Sequence, residues 1–458
     1  MIAALLAASI AQALAAPTLR RAHVGLFAVD LTSGAVVAAR DEGDEFVPAS
    51  TLKLVTGSVA LSALAPDRAP FSTRVAAANT TLYLVGGGDP FLSLADLDDA
   101  AAAVASTGVR AFALLAGDAT RYDAPRYPPG WSIDDIPYGY AAVPSALSFD
   151  ENVAHAIVVP GDAAGDPAGL RVQPQSDAFA FENDAVTGPP GSADTTDIER
   201  PWDRPSTIRV VGSYPQNAPP SDDLEPAVPD PPAYALDLFR AALARHGVTI
   251  GAISSGAAPA AATTLWSHDS ADLATLLAKF WGPSDNLLGE LLLLEIGVRG
   301  DASAGDTRAR GIADELRWLA RIGVDPATAS ISDGSGLSIY DRITPEDLVS
   351  VLEDDWRSPL RETILQALPL AGVRGTLQDT FLGTPLAGRL YAKTGSMDHV
   401  RALAGFLPAP HGEIAFALLI DDWNDASPAA EARLDAARAA ILAAVARADA
   451  SAAARPAF

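Results

Sequence analysis

The sequence contains no cysteine. A disulfide framework, a thiolate metal site and a lipid-anchor cysteine are therefore excluded, and the redox compartment cannot be read. Lysine is nearly as scarce: of 32 basic residues only Lys53, Lys279 and Lys393 are lysines, and the other 29 are arginines. Acidic residues number 57, for a formal net charge of -25, the wrong sign for a surface that grips a phosphate backbone. No nucleic-acid partner is expected. The six histidines (His23, His155, His246, His268, His399 and His411) are scattered and form no H-x-x-x-H pair, so the clustered ligands of a metallohydrolase are missing. No metal or other cofactor is expected. The G-x-S-x-G elbow of a Ser-His-Asp hydrolase is also missing, and Gly86-Gly87-Gly88 lacks the lysine of a phosphate loop. No run is apolar over the roughly 18 residues that a membrane span needs, so no transmembrane segment is expected.

What is present describes a chain that folds. Hydrophobic residues make up 49% and charged residues 19% of 458, and at roughly 150 residues per domain the length implies two or three packed units. Ile2 to Leu14 is apolar and ends in the small-x-small pattern Ala13-Leu14-Ala15, so residues 1–15 read as an export signal and the working protein as periplasmic or secreted. His23 to Asp30 and Ala35 to Arg40 alternate around Thr32-Ser33-Gly34 as a hairpin. Thr51 to Leu64 has apolar residues near helical spacing, which predicts a helix with one buried face and Ser50 at its N-terminus. From about 73 to 262 the texture changes to short strand-like runs punctuated by Gly, Pro and Asp. Pro215 to Pro232 reads there as a linker or surface loop, followed by a helix from about Ala233 to His246.

Beyond Asp272 a helix is interrupted at Gly282-Pro283, and a second runs from about Asn286 to Ile296, leaving Ser284-Asp285-Asn286 in the break. Arg389 to Lys393, Arg401 to Leu407 and Glu413 to Ile420 read as neighbouring antiparallel strands. A last helix opens at Ser427-Pro428 with Leu434, Ala437, Ile441, Leu442 and Val445 on one face.

The rarity of lysine directs attention to where it stands. An arginine cannot shed its proton in a protein, whereas a buried lysine can, so a rare lysine is a candidate base. Lys53 follows Ser50 by three residues, the helical spacing that puts two side chains on one face, and Ser50-Thr51-Leu52-Lys53 is an S-x-x-K motif. Alone it is weak, because an N-cap serine near a surface lysine gives the same string. Ser284-Asp285-Asn286 supplies S-D-N, and Lys393-Thr394-Gly395 supplies K-T-G on an expected strand. Three motifs in this order and in these local settings are a strong signal.

At these residues the chain resembles serine β-lactamases and penicillin-binding proteins. Ser50 and Ser284 lie 234 residues apart, too far for a compact β-lactamase. The chain is similar in this to the low-molecular-mass class C penicillin-binding proteins, the D-alanyl-D-alanine carboxypeptidases/endopeptidases, whose insertion sits at that point. Gly88 to Leu92, Pro129-Gly130-Trp131 to Asp135, Ser145 to Ser148, Asp333-Gly334-Ser335-Gly336-Leu337-Ser338 and Gly375-Thr376-Leu377 extend the likeness over nearly the whole chain. Ile339 departs from it, standing where the family has an arginine.

The resemblance implies an α+β fold in which a β-lactamase/transpeptidase-like domain, an antiparallel sheet flanked by helices, is formed by 16–72 and 263–458, with one or two inserted domains at 73–262. It also implies roles. Ser50 is the nucleophile and Lys53 its base, made neutral by burial and by Lys393. Backbone amides of Ser50 and Ser396 form the oxyanion hole, Ser284 relays a proton to the leaving amine, and Asn286 holds the acyl side's amide. Lys393 and Thr394 bind the terminal carboxylate, with Gly395 and Ser396 completing the strand against the substrate. Asp134 is matched to an acidic contact for the amine of a diamino acid, although a surface-loop carboxylate is as good a reading, and Met397 follows the K-T-G-S strand. Lys279 has no assigned role. The implied partners are peptidoglycan peptides ending in D-Ala-D-Ala, and β-lactams. A serine β-lactamase and an inactive peptide-binding module are the alternatives, separated by nitrocefin turnover and by covalent labelling.

Overall fold

The computed structural model describes residues 9–221, 224–409, 412–425, 427 and 429–452; residues 1–8 of the expected export segment, His411 and Pro428 lie outside them. The chain divides into two compact units. The first comprises Met1–Arg68, Pro128–Gly130 and Asp272–Phe458, and the second Ala69–Tyr127 and Trp131–Ala271. Boundaries expected at 72/73 and 262/263 fall instead at 68/69 and 271/272. The reason is pairing: Ser72–Ala78 and Thr263–Asp269 are antiparallel neighbours in one sheet, so both strands go to the second unit.

The first unit holds a five-stranded antiparallel sheet in the order Tyr391–Met397, Val400–Ala409, Gly412–Asp421, His23–Asp30, Val36–Arg40. The expected N-terminal hairpin thus joins a C-terminal meander, with His23 opposite Asp421 and Asp30 opposite Ile414. Asp30 sets the hairpin turn, its Oδ1 accepting from the backbone N–H of Thr32 and Ser33. The central strand is buried from Ile414 to Ile420 because both sheet faces are covered, and its sequence is accordingly a continuous apolar run rather than an alternation. The helix Ala430–Ala452 covers one face through Leu434, Ala437, Ile441, Leu442 and Val445, all buried. Leu14 is buried in the same cluster.

The helix Pro345–Arg357 packs against the sheet, as does the 3-10 turn Ala49–Leu52 that precedes the helix Lys53–Ala63. The expectation of one buried face is corrected, since every residue from Lys53 to Leu61 is buried. Helices Leu273–Trp281, Asn286–Arg299, Thr307–Arg321 and Pro345–Arg357 surround it. Trp281 seals one side, donating from Nε1 to Lys53 O at 2.8 Å across the space that Gly57 leaves open. Among the described residues no helix is long and apolar enough to cross a membrane.

The second unit is built on a mixed five-stranded sheet, Thr249–Ser255, Ala111–Asp118, Thr81–Val85, Ser72–Ala78, Thr263–Asp269, covered by helices Leu94–Ser106 and Pro231–Arg245. A separate small core gathers Val158, Ala168, Ala185, Val210 and Tyr214. The Pro-rich segment is less free than a linker: Ala227 and Val228 are buried, and Val228 N–H donates to Asn152 O at 2.8 Å.

Candidate active site

Five of the expected catalytic side chains converge in the first unit. Lys53 Nζ lies 2.8 Å from Ser50 Oγ, 2.6 Å from Asn286 Oδ1 and 2.6 Å from Ser335 O. Lys393 Nζ lies 2.9 Å from Ser284 Oγ and 2.9 Å from Thr394 O. Both lysines are completely buried, while Ser50, Ser284 and Asn286 retain partial exposure.

Each element places its side chain for a local reason. The 3-10 turn at Ala49–Leu52 lifts Ser50 onto the end of the helix, with Lys53 as first α-helical residue, so the pair meets across one turn. Pro283 stops the helix that ends at Trp281, and Asp285 starts the next by accepting from Leu288 N–H at 3.0 Å. Ser284 is caught between them with φ of 71°, and Ala49, just before the nucleophile, has φ of 45°. These left-handed non-glycine residues are strained positions of the kind found at functional sites. Tyr391–Met397 is the edge strand of the sheet, with Lys393 opposite Ala404 and Ser396 opposite Arg401. Gly395 lets it approach the nucleophile turn, since a Cβ there would meet Pro48 O at 2.7 Å.

The three contacts of Lys53 define what its amine can do. A neutral amine has two hydrogens and one lone pair. The Ser335 carbonyl oxygen and Asn286 Oδ1 can only accept, so they take the hydrogens and the lone pair faces Ser50 Oγ. Burial lowers the proton affinity of Lys53 from 10.5 to about 8, opposed by the charges of Asp333, Asp285, Glu290 and Asp341. Burial, and then the charge of Lys53, push Lys393 well below its ordinary value. Burial is one of the two causes expected to keep Lys53 neutral; the other, repulsion between the two buried lysines, belongs to the pair and opposes charging both at once.

Sequence reasoning quoted the Asp333 to Ser338 phrase and Gly375-Thr376-Leu377 without giving them work. The first supplies the Ser335 carbonyl. The second supplies Thr376, whose hydroxyl lies 2.7 Å from that of Thr394. Beside Thr376 opens a groove of about 500 Å³ lined by Gly282, Pro283, Gln366, Leu368, Arg374 and Gln378. Ile339 is exposed, and the neighbouring Arg342 folds back, donating from Nη1 to Ile339 O at 2.8 Å and Asp341 O at 2.7 Å. Met397 closes the Lys393 strand and is half-buried. Asp134 belongs to the second unit, where it is exposed and its N–H donates to Ser132 Oγ at 3.3 Å. Lys279 is exposed on the helix Leu273–Trp281.

A family model described as D-Ala-D-Ala carboxypeptidase 3 (S13) matches residues 6–443. The D-alanyl-D-alanine carboxypeptidase of Actinomadura sp. (strain R39) is 38% identical over 438 residues, covering 90% of this chain and 80% of that protein. Penicillin binding protein 4 (dacB) of Haemophilus influenzae has the same fold, with a TM-score of 0.79, 23% identity and coverage of 94% of this chain and 97% of that one. Its complex with a β-lactam superposes with a TM-score of 0.77 at 22% identity, covering 96% and 99%.

Proposed function

From the premise that the chain belongs to the D-Ala-D-Ala carboxypeptidase 3 (S13) family, we infer that this serine-type D-alanyl-D-alanine carboxypeptidase forms its acyl-enzyme on Ser50. The observation that carries the assignment is the Lys53 amine, 2.8 Å from Ser50 Oγ and held there by the Asn286 and Ser335 oxygens.

In this mechanism Ser50 Oγ attacks the carbonyl carbon between the two D-alanines while its proton passes to Lys53 Nζ. The developing oxyanion is held by the backbone amides of Ser50 and Ser396. The C–N bond breaks as a proton reaches the leaving amine through Ser284 Oγ, which Lys393 holds. D-alanine leaves. Water then attacks the Ser50 ester, releasing the shortened peptide and restoring the hydroxyl. Thr394 and Lys393 bind the terminal carboxylate, and Asn286 binds the amide on the acyl side.

The substrates are peptidoglycan stem peptides ending in D-Ala-D-Ala, met in the periplasm or outside the cell, and β-lactams acylate the same serine. Met397, at the end of the Lys393 strand, is the proposed contact for the side chain of the third stem residue. Cross-link cleavage is a second proposed activity of the same groups, for which the groove beside Thr376 is the candidate seat of a larger leaving group. Intact mass after exposure to benzylpenicillin, with the adduct mapped by peptide, tests the central assignment. A single adduct on Ser50 is expected, and no mass gain, or a gain that survives Ser50→Ala, refutes it. Slow release separates this reading from a β-lactamase, which would turn over nitrocefin.

A further inference from the structure

Behind Lys53 lies a set of buried acidic side chains that the mechanism above leaves idle. Asp333 is completely buried, and its two oxygens accept four hydrogen bonds from one turn. Oδ1 accepts from Ser335 N–H at 3.1 Å and Gly336 N–H at 2.6 Å; Oδ2 accepts from Ser338 N–H at 2.8 Å and Ser335 Oγ at 3.2 Å. Glu290 accepts from the next amide, Gly334 N–H, at 2.9 Å, and its other oxygen faces Arg308 Nε at 3.8 Å. Asp341 accepts from Ser332 N–H at 2.7 Å on the far side of the turn.

The turn is also clamped sterically. Gly336 has φ of 75°, and a Cβ there would come within 2.0 Å of Ala49 O, in the segment that carries Ser50. A Cβ on Gly334 would meet Gly289 O at 2.4 Å, on the helix that begins with Asn286. One turn therefore touches the nucleophile segment and the S-D-N helix, and its Ser335 carbonyl reaches Lys53 between them.

We propose that Asp333 is a positioning residue for acylation: by gathering the amides of residues 335, 336 and 338 onto one carboxylate it fixes the Ser335 carbonyl, 2.6 Å from Lys53 Nζ, and through it holds the Lys53 amine against Ser50. This rests on the Ser50/Lys53 reading of the site. Asparagine at 333 can keep the Oδ1 contacts, but its amide NH2 replaces Oδ2 and opposes Ser338 N–H, donor against donor. The turn loosens and the charge is lost. The other groups that act on Lys53 are Asp285, Glu290 and Asp341, with Lys393 beside the site; burial and Asp333 push the Asp341 carboxyl well above the usual carboxylate range, and loss of the Asp333 charge relieves part of that shift. Asp333→Asn/Asp341→Asn removes both carboxyls.

The experiment follows acylation by a fluorescent penicillin from pH 6 to 9.5 in wild type, Asp333→Asn, Asp333→Asn/Asp341→Asn and Ser335→Ala, with circular dichroism for folding. Loss of the Asp333 bonds should lower the alkaline plateau roughly ten- to a hundredfold, as small misplacements of a catalytic group do. Loss of its charge should move the acid limb to lower pH by roughly 0.5 to 1 unit, most fully in the double variant. Ser335→Ala, which removes one side-chain bond and keeps the carbonyl, should lower the plateau less and leave the limb in place. A purely structural role predicts a lower plateau with an unmoved limb in both asparagine variants, and that result overturns the proposal, as does a wild-type plateau in either. If the asparagine variants do not fold, Ser335→Ala decides alone: a plateau equal to wild type refutes the positioning. Failure of wild type itself to acylate on Ser50 would instead refute the functional reading on which the proposal rests.

Discussion

The sharpest consequence of the proposed mechanism is the shape of the pH profile for acylation, because Lys53 as base must be neutralised, and burial is the largest cause that lowers it. With a proton affinity of about 8 in place of 10.5, the neutral fraction of Lys53 at pH 7 is about 0.09 rather than about 3 × 10⁻⁴, a gain of about 300-fold. That gain corresponds to about 3 kcal/mol of differential desolvation, which is what complete burial of an ammonium group among only partly compensating carboxylates can supply. Acylation of Ser50 should therefore rise about 90-fold between pH 6 and pH 9 and level off above pH 8, whereas an ordinary lysine would rise about 1000-fold with no plateau. Stopped-flow rates with a fluorescent penicillin at fixed ionic strength measure this directly. Lys53→Arg supplies the control: a guanidinium cannot give up its proton, so the rate should fall by about 10² to 10⁴ and the limb should vanish. A flat profile from pH 6 to 9, or a folded Lys53→Arg variant that keeps the wild-type limb, would show that Lys53 is not the base.

Three further expectations follow from named contacts. Lys393→Arg keeps a cation beside Ser284 and should retain more acylation than Lys53→Arg, although its larger fork displaces the carboxylate, while Lys393→Ala should lose carboxylate-bearing substrates most; the same fluorescent assay compares them. Glu315 is completely buried, and burial, opposed by the Thr56 hydroxyl, pushes its carboxyl up to about 8. Its folded value is raised, so the stability it permits is full below about pH 4.5 and is lost, on the order of 3 to 5 kcal/mol, as pH rises towards 8; Glu315→Leu should raise Tm, with a gap that widens from pH 6 to pH 9, and a constant gap would refute the reasoning. Arg374→Ala should leave release of D-alanine unchanged but slow cleavage before a D-residue with a long anionic side chain, read as a change in relative kcat/KM; equal slowing of both would empty the groove of any role.

How much of this was legible in the sequence depended on whether the information was local. Ser50 and Lys53 meet because three residues span about one helical turn, and Ser284 lies in a helix break because Pro283 makes one; both are properties of short strings. The K-T-G strand and the two strands that follow it were visible as short apolar runs closed by turns. The helix Lys53–Ala63 misled because a fully buried helix needs no polar face, so its few apolar-periodic positions understated its burial. The unit boundaries slipped because two strands some 190 residues apart in sequence pair with each other, and periodicity carries no register. The backbone acceptor of Lys53 was invisible for a different reason: it is a carbonyl that any residue type at 335 would provide, and only the fold aims it. Glu290 and Glu315 likewise sit in helices whose sequences read as ordinary, and nothing in a charge pattern announces that both carboxyls point inward.

The scarcity of lysine can now be weighed against where the three lie. Lys279 is exposed, and nothing in the structure explains why it is not an arginine. Lys53 and Lys393 are completely buried, and there the distinction has consequences. An arginine at 53 would keep its charge among Asp333, Asp285, Glu290 and Asp341 and could never take the Ser50 proton. At 393 the surroundings differ, since the contacts of its amine are the Ser284 hydroxyl and the Thr394 carbonyl, both neutral, and no carboxylate acts on it. A buried ammonium without a counter-ion is costly, so in the empty site Lys393 resists protonation. A ligand that brings its own carboxylate to Thr394 removes that cost and is held by a charge-assisted bond in return. On the proposed mechanism, a preference for a free C-terminal carboxylate follows from an imbalance within the site: carboxyl groups lie around Lys53, whereas the contacts of Lys393 are neutral oxygens.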